Sequence, residues 1–239
     1  MAVESELLVL AATAASIGFV HTLLGPDHYL PFIVLGRARA WSRTRIAAVT
    51  TLCGLGHVAG SVALGAVGIG IGLAVGQMEL IESVRGELAA WALMGFGLAY
   101  AAWGWRRSQT GRAHSHAHVH ADGTAHAHGH DHRGGHVHVH DSPRSVNLTP
   151  WVLFTVFVLG PCEPLIPLLM VPASAHSWAG VAFVAGVFGL ATIATMLAVV
   201  FAGLAGLSVV SFAAVERHAH TLAGTAVAAC GAAMVFLGL

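Results

Sequence analysis

Lysine is absent from this chain, charged residues of all kinds make up only 9% of it, and there are two tyrosines and three cysteines in 239 residues. A soluble domain carries about 25% charged residues, so this deficit excludes an ordinary water-facing surface. A formal net charge of zero implies no nucleic-acid partner, and no nucleotide-binding motif is visible. Cys53, Cys162 and Cys230 lie in separate apolar segments. They are too far apart for a zinc-type CxxC, and their odd number argues against a disulfide framework. The opening MAVESELL has no basic region and carries Glu4 and Glu6. No cleaved signal peptide is expected, and the first apolar segment is expected to remain as a span.

What is present is hydrophobic: 56% of the residues, gathered into uncharged stretches of roughly 20 or more, enough to cross about 30 Å of hydrocarbon. The expected class is an all-α integral membrane protein in a single bundle, with the lipid bilayer as its surroundings. We read six spans: 7–25 continuing brokenly to 36, 46–76, 88–105, 150–171, 178–210 and 221–238. The second and fifth exceed the usual length and must tilt, break or project. The second carries Gly56, Gly60, Gly68, Gly72 and Gly76, a four-residue spacing that lets helices pack closely.

Arginines set the expected orientation. Arg37, Arg39, Arg43 and Arg45 fall in the first loop, and Arg106, Arg107, Arg112, Arg133 and Arg144 in the third. The second loop holds Glu79, Glu82 and Glu87 with only Arg85. The positive-inside rule makes the first and third loops cytoplasmic, with both termini outside the cell (inner) membrane.

The chain also repeats itself. LGPDHYLP begins at Leu24 and LGPCEPLIP at Leu159, an offset of 135 residues, and the same offset lays Cys53–His57 over Phe188–Thr192. Three spans per copy invert the second copy in the membrane, the plan of many transporters whose sites form where broken helices meet. The expected divisions are 1–105, a loop over 106–149, and 150–239. The first helix of each repeat is expected to break at its Gly-Pro.

Ionisable groups inside spans are costly and point to function. They are His21, Asp27, His28, His57 and Glu163. Gly25-Pro26 and Gly160-Pro161 precede Asp27-His28 and Cys162-Glu163; proline breaks the helix there, and broken backbone at membrane depth is tolerated where it lines an enclosed cavity. His21 and His28 would lie roughly 10 Å apart in a continuous helix, too far to share an ion. The break either brings them together or lets them serve successive positions on a path. Thr192, the repeat counterpart of His57, is expected beside the same cavity, with Thr195 within one turn. Imidazoles, carboxylates and a thiol suit nickel, cobalt, copper or zinc, whereas calcium and magnesium prefer all-oxygen sites. Cys162 reads equally as a ligand or as a small buried residue.

The third loop holds eleven histidines, mostly alternating: His114, His116, His118, His120, His126, His128, His130, His132, His136, His138 and His140, with Asp122, Asp131 and Asp141 among them. Its low hydrophobicity and its glycines predict disorder without metal, and its neutral imidazoles suit borderline divalent ions. A pH-responsive linker is the alternative.

At these residues the sequence resembles the nickel/cobalt transporter family and its efflux relatives, within the lysine-exporter superfamily. That family's first signature is H-x4-D-H; His21, Asp27 and His28 give H-x5-D-H, one residue longer. Leu55, Gly56 and His57 match its second signature, and GPCEPLIP resembles the Pro-Cys segment of the efflux branch. The resemblance implies a transporter and not an enzyme, with nickel, cobalt or zinc ions as substrate, no cofactor, and a loop that collects metal. Other readings are a membrane thiol–disulfide carrier, a metal sensor or storage module, and an exporter of amino acids or sulfur oxyanions. The sequence carries no sign of an oligomeric state.

Overall fold

A computed structural model describes residues 2–110, 114–119, 125–130, 148–175, 177–208 and 218–238. Its helices are α1 (Ala2–Leu24), α2 (Leu30–Ala38), α3 (Arg43–Gly70), α4 (Val75–Thr110), α5 (Thr149–Leu159), α6 (Leu165–Ser174), α7 (Trp178–Ser208) and α8 (Ala219–Leu237), with a 3-10 turn at Pro26–His28 between α1 and α2. Five of them are long and apolar enough to cross a membrane: those covering Glu6–Leu24, Arg43–Gly70, Val75–Gln109, Trp178–Gly206 and Ala219–Leu237. The stretch read as a continuous span over 150–171 is instead two short apolar helices, α5 and α6. Large apolar side chains such as Leu8, Trp151, Leu190 and Phe236 face outward, the distribution expected where the solvent is lipid.

Two boundaries differ from expectation. The apolar run read as ending at residue 76 stops as a helix at Gly70, because Gly72 turns with φ +74° and Leu73 N–H bonds back to the Gly68 carbonyl at 2.8 Å. Gly72 and Gly76 therefore do not continue a helix-packing stripe with Gly68, and nothing lies within 4 Å of a Cβ placed at either. In the other direction, the acidic stretch read as a loop is the first part of α4. Glu82 and Arg85 pair three residues apart at 3.1 Å, so charge lowers hydropathy there without breaking the helix. At 36 residues, α4 is roughly 54 Å long by the usual rise, longer than the hydrocarbon is thick.

The closest helix pair is α4 with α8. Gly97 on α4 meets Gly224 on α8, while Gly104 lies against His220 and Thr221 and Gly231 against Ala90 and Met94. A Cβ at Gly104 would stand 2.6 Å from Thr221 N, and one at Gly231 2.5 Å from Met94 N. α1 packs on α7 and α3 on α5, again through small residues: Gly18 lies against the Phe188 backbone and Gly56 against Val158 and Phe154. At one end of the bundle Arg39 Nε donates to Tyr100 Oη at 3.0 Å, and that hydroxyl lies 2.9 Å from His220 Nδ1. These contacts join the end of α2 to α4 and α8.

Within the histidine-rich loop, β1 (His114–Val119) and β2 (Ala125–His130) run antiparallel, with His114 opposite His130, His116 opposite His128 and His118 opposite His126. The expectation of disorder otherwise falls on 111–113, 120–124 and 131–147, outside the described residues.

Gly224→Leu is expected to lower the yield and melting temperature of detergent-solubilised protein, because the new side chain meets the Ala101 backbone and overpacking costs about 1–3 kcal/mol or more. Gly95→Ala, on α4 but with nothing within 4 Å of its Cβ position, is the matched control and should melt like the wild type.

Candidate metal centre

Two proline breaks build the site. Pro26 has no N–H for the Thr22 carbonyl, so α1 ends and Gly25 turns extended, at φ −88° and ψ 97°. Pro161 likewise has none for the Phe157 carbonyl, and Gly160 turns extended at φ −60° and ψ 141°. The Phe157 carbonyl accepts from Gly160 N–H at 3.0 Å and from His57 Nδ1 at 3.3 Å. The side chain of His57, on α3, therefore occupies the place of a helix donor missing from α5.

The same reasoning orients His28. Its Nδ1 lies 3.1 Å from Asp27 Oδ1 and 3.2 Å from the Gly25 carbonyl. Both neighbours are acceptors, so Nδ1 carries the proton and donates. His57 Nδ1 also faces a carbonyl and also carries its proton. The two Nε2 atoms are left as lone pairs, and they face each other at 3.4 Å. Two neutral imidazoles in that arrangement repel; a proton held between them as an imidazolium–imidazole hydrogen bond, or a cation, removes the conflict. Tetrahedral ligands at Zn–N distances of about 2.0–2.1 Å stand roughly 3.3 Å apart, close to the separation found here.

His21 completes the group. Its ring centroid lies 4.9 Å from that of His28 and 6.3 Å from that of His57, and its buried Nε2 has no hydrogen-bond partner. Ligand atoms of His21, His57 and Cys162 all lie within 4.8 Å of one another. His28 and His57 are each 2% exposed and Cys162 is fully buried, with Phe157 and Phe188 as apolar walls. The break after α1 thus gathers His21 and His28 into one place, and the break after α5 delivers Cys162 to it. His21, His57 and Cys162 form the mutually close set, which His28 joins through His57, and imidazoles with a thiol suit a borderline divalent ion.

Other expected site residues sit differently. Asp27 touches His28 Nδ1 and stands behind that ring as its orienting carboxylate, the outer-shell role common around metal-bound histidines. Glu163 is exposed. The backbone after Pro161 turns through Cys162 and Glu163, whose carbonyls accept from Leu165 and Ile166 N–H, and this turn carries consecutive side chains to opposite sides. Glu163 is thus not among the side chains gathered at the centre. Thr192 is fully buried with its hydroxyl unpartnered, and it stands beside α1 at Gly18, 3.3 Å from a Cβ placed there, one turn before His21. Thr195 donates to its own helix at the Ala191 carbonyl, 2.7 Å away. In the loop, His114, His116, His118, His126, His128 and His130 lie on the paired strands, while His120, His132, His136, His138 and His140 fall outside the described residues. All three cysteines are free and buried.

Sequence reasoning missed a second polar group beside this centre. Arg85, on α4, donates to the Leu159 carbonyl at 3.2 Å, the Gly160 carbonyl at 2.8 Å, Ser61 Oγ at 3.0 Å and Glu82 Oε1 at 3.1 Å. The i,i+3 pairing of Glu82 with Arg85 was the available signal.

Cobalt(II) titrated into the detergent-solubilised chain is expected to give a thiolate-to-metal charge-transfer band that Cys162→Ser abolishes. The histidine-rich loop contains no cysteine, so the band does not report the loop, and Cys53→Ser and Cys230→Ser should leave it in place. Asp27→Asn should retain the band but weaken the affinity read from it by about 10- to 100-fold, as for other lost outer-shell partners. His28→Ala, lacking a ligand nitrogen, should weaken it further.

Scans of protein-family models, curated proteins and solved structures return no match to this chain.

Proposed function

We propose that this chain is a six-span transporter of divalent transition-metal ions, nickel and cobalt foremost, with His21, His28, His57 and Cys162 as the transit site. The observation that carries the reading is the pair of facing Nε2 atoms on His28 and His57, 3.4 Å apart with both Nδ1 atoms committed to oxygen acceptors. That arrangement is adapted to a cation, and nitrogen with sulfur disfavours magnesium and calcium.

Further support comes from where the site stands. It lies about half-way along α3, between two helix breaks at equivalent points of the 135-residue offset. The contacts α1 with α7 and α3 with α5 exchange under that offset, as two inverted repeats would require, with α5 and α6 together as the remaining span. On this plan the arginine-rich ends and the histidine-rich loop are cytoplasmic and both termini outside. The loop collects metal, and rocking of the two halves switches access. A cytoplasmic collector favours efflux over uptake, driven passively or by protons. The resemblance to the nickel/cobalt efflux branch points the same way.

Reconstituted protein is expected to move nickel(II) and cobalt(II) across vesicle membranes, and His57→Ala to abolish that flux in a correctly inserted protein. Deleting 111–147 should raise the metal concentration needed for half-maximal flux and leave the rate at saturating metal unchanged. Metal binding without any flux in the wild-type chain would favour a storage or sensing role instead.

A further inference from the structure

Glu82 is a fully buried carboxyl in the first turns of α4. One of its oxygens accepts from Arg85 at 3.1 Å, while the other, Oε2, is buried with no partner. Leaving a buried acceptor unsatisfied costs about 1–3 kcal/mol, more for a charged group. Arg85, by contrast, is fully engaged: it satisfies the two carbonyls opened by the break after α5 and also holds Ser61.

The position of this group is as informative as its chemistry. Gly160 joins it to the metal centre: its carbonyl accepts from Arg85 at 2.8 Å, and a Cβ placed on it would stand 3.2 Å from His57 Nδ1. Ser61 follows His57 by one turn of α3, toward the Gly70–Val75 connection. Cys162 lies within electrostatic reach of both Glu82 and Arg85. The carboxyl therefore sits between the imidazole cluster and the face of the bundle where α3 turns into α4.

We propose that Glu82 is a second cation-accepting site, taking a divalent transition-metal ion on Oε2 as it passes between the histidine–cysteine centre and the α3–α4 end of the bundle. The proposal rests on the transport reading above. Arg85 cancels the carboxylate's charge when no ion is present and weakens its grip on one that arrives. A path through a membrane needs such stations: each must bind well enough to be entered and weakly enough to be left.

The test uses the full-length chain in proteoliposomes, with nickel(II) and cobalt(II) alone as probes. Glu82→Gln keeps the shape of the side chain and an oxygen for Arg85 but removes the charge. It is expected to slow flux about 10-fold or more while the cobalt–thiolate band of Cys162 persists. Arg85→Gln should slow release of bound nickel, and adding Glu82→Gln should remove that retention. Wild-type flux in Glu82→Gln overturns the proposal and leaves the transport reading standing. Loss of the cobalt band together with flux also overturns it, since Glu82 would then only support the fold. Absence of flux in the wild-type chain overturns both readings. If Glu82→Gln fails to insert, Glu82→Asp decides: slower flux with an intact band supports the site, and unchanged flux overturns it.

Discussion

The site depends on one missing hydrogen atom. Pro161 cannot donate to the Phe157 carbonyl, which keeps the Gly160 N–H at 3.0 Å and has a second lone pair open in an interior where water is not there to fill it. His57 Nδ1 answers it at 3.3 Å. This single bond fixes the tautomer and direction of His57, and so aims Nε2 at His28. It also ties α3 to the broken end of α5. Gly25 and Pro26 act alike at the break after α1, where the Gly25 carbonyl and Asp27 carboxylate set the tautomer of His28. The breaks thus supply both the space for the site and the acceptors that preorganise it.

Polarity is concentrated around these breaks because each polar group there compensates another. The Leu159 and Gly160 carbonyls draw Arg85 inward, and Arg85 makes a buried Glu82 tolerable. An unpaired arginine or glutamate at that depth would be costly. The remaining contacts between α4 and α8, α1 and α7, and α3 and α5 use glycine seams, which bring helices close without adding polar groups to satisfy.

Much of this was legible in the sequence. Long uncharged runs marked the helices, and the Gly-Pro pairs marked the breaks that gather His21, His28 and His57. What could not be read was the phase of the chain after a break. A helix turns about 100° per residue, so side-chain direction can be counted along it. A turn such as Pro161–Pro164 resets that count, and only the folded chain shows that Cys162 points inward and Glu163 outward. The start of α4 was missed for a different reason. Hydropathy scores Glu82 and Arg85 one at a time, whereas the pair three residues apart is far less costly to bury than either residue alone. Thr192 illustrates a third limit: the 135-residue offset named it as the counterpart of His57, but could not show that its hydroxyl is buried without a partner beside Gly18 of α1.

The donor set also bears on how an ion would be released. Three imidazoles and a thiolate in a dry pocket would hold a borderline ion tightly, and a transporter with such a site needs a way to loosen it. His21, His28 and His57 belong to α1, the turn after it, and α3, whereas Cys162 and the Phe157 carbonyl belong to the break around α5. Movement of α5 and its break relative to α1 and α3 would therefore withdraw Cys162 and free His57 Nδ1 in the same step. The ion would lose one ligand directly and the orientation of a second indirectly. Arg85, anchored on α4 but bonded to the Leu159 and Gly160 carbonyls, would be displaced by the same movement, changing its hold on Glu82 as the first site loosens. Coupling of this kind requires no long-range pathway, because all the contacts meet at one short stretch of unwound backbone.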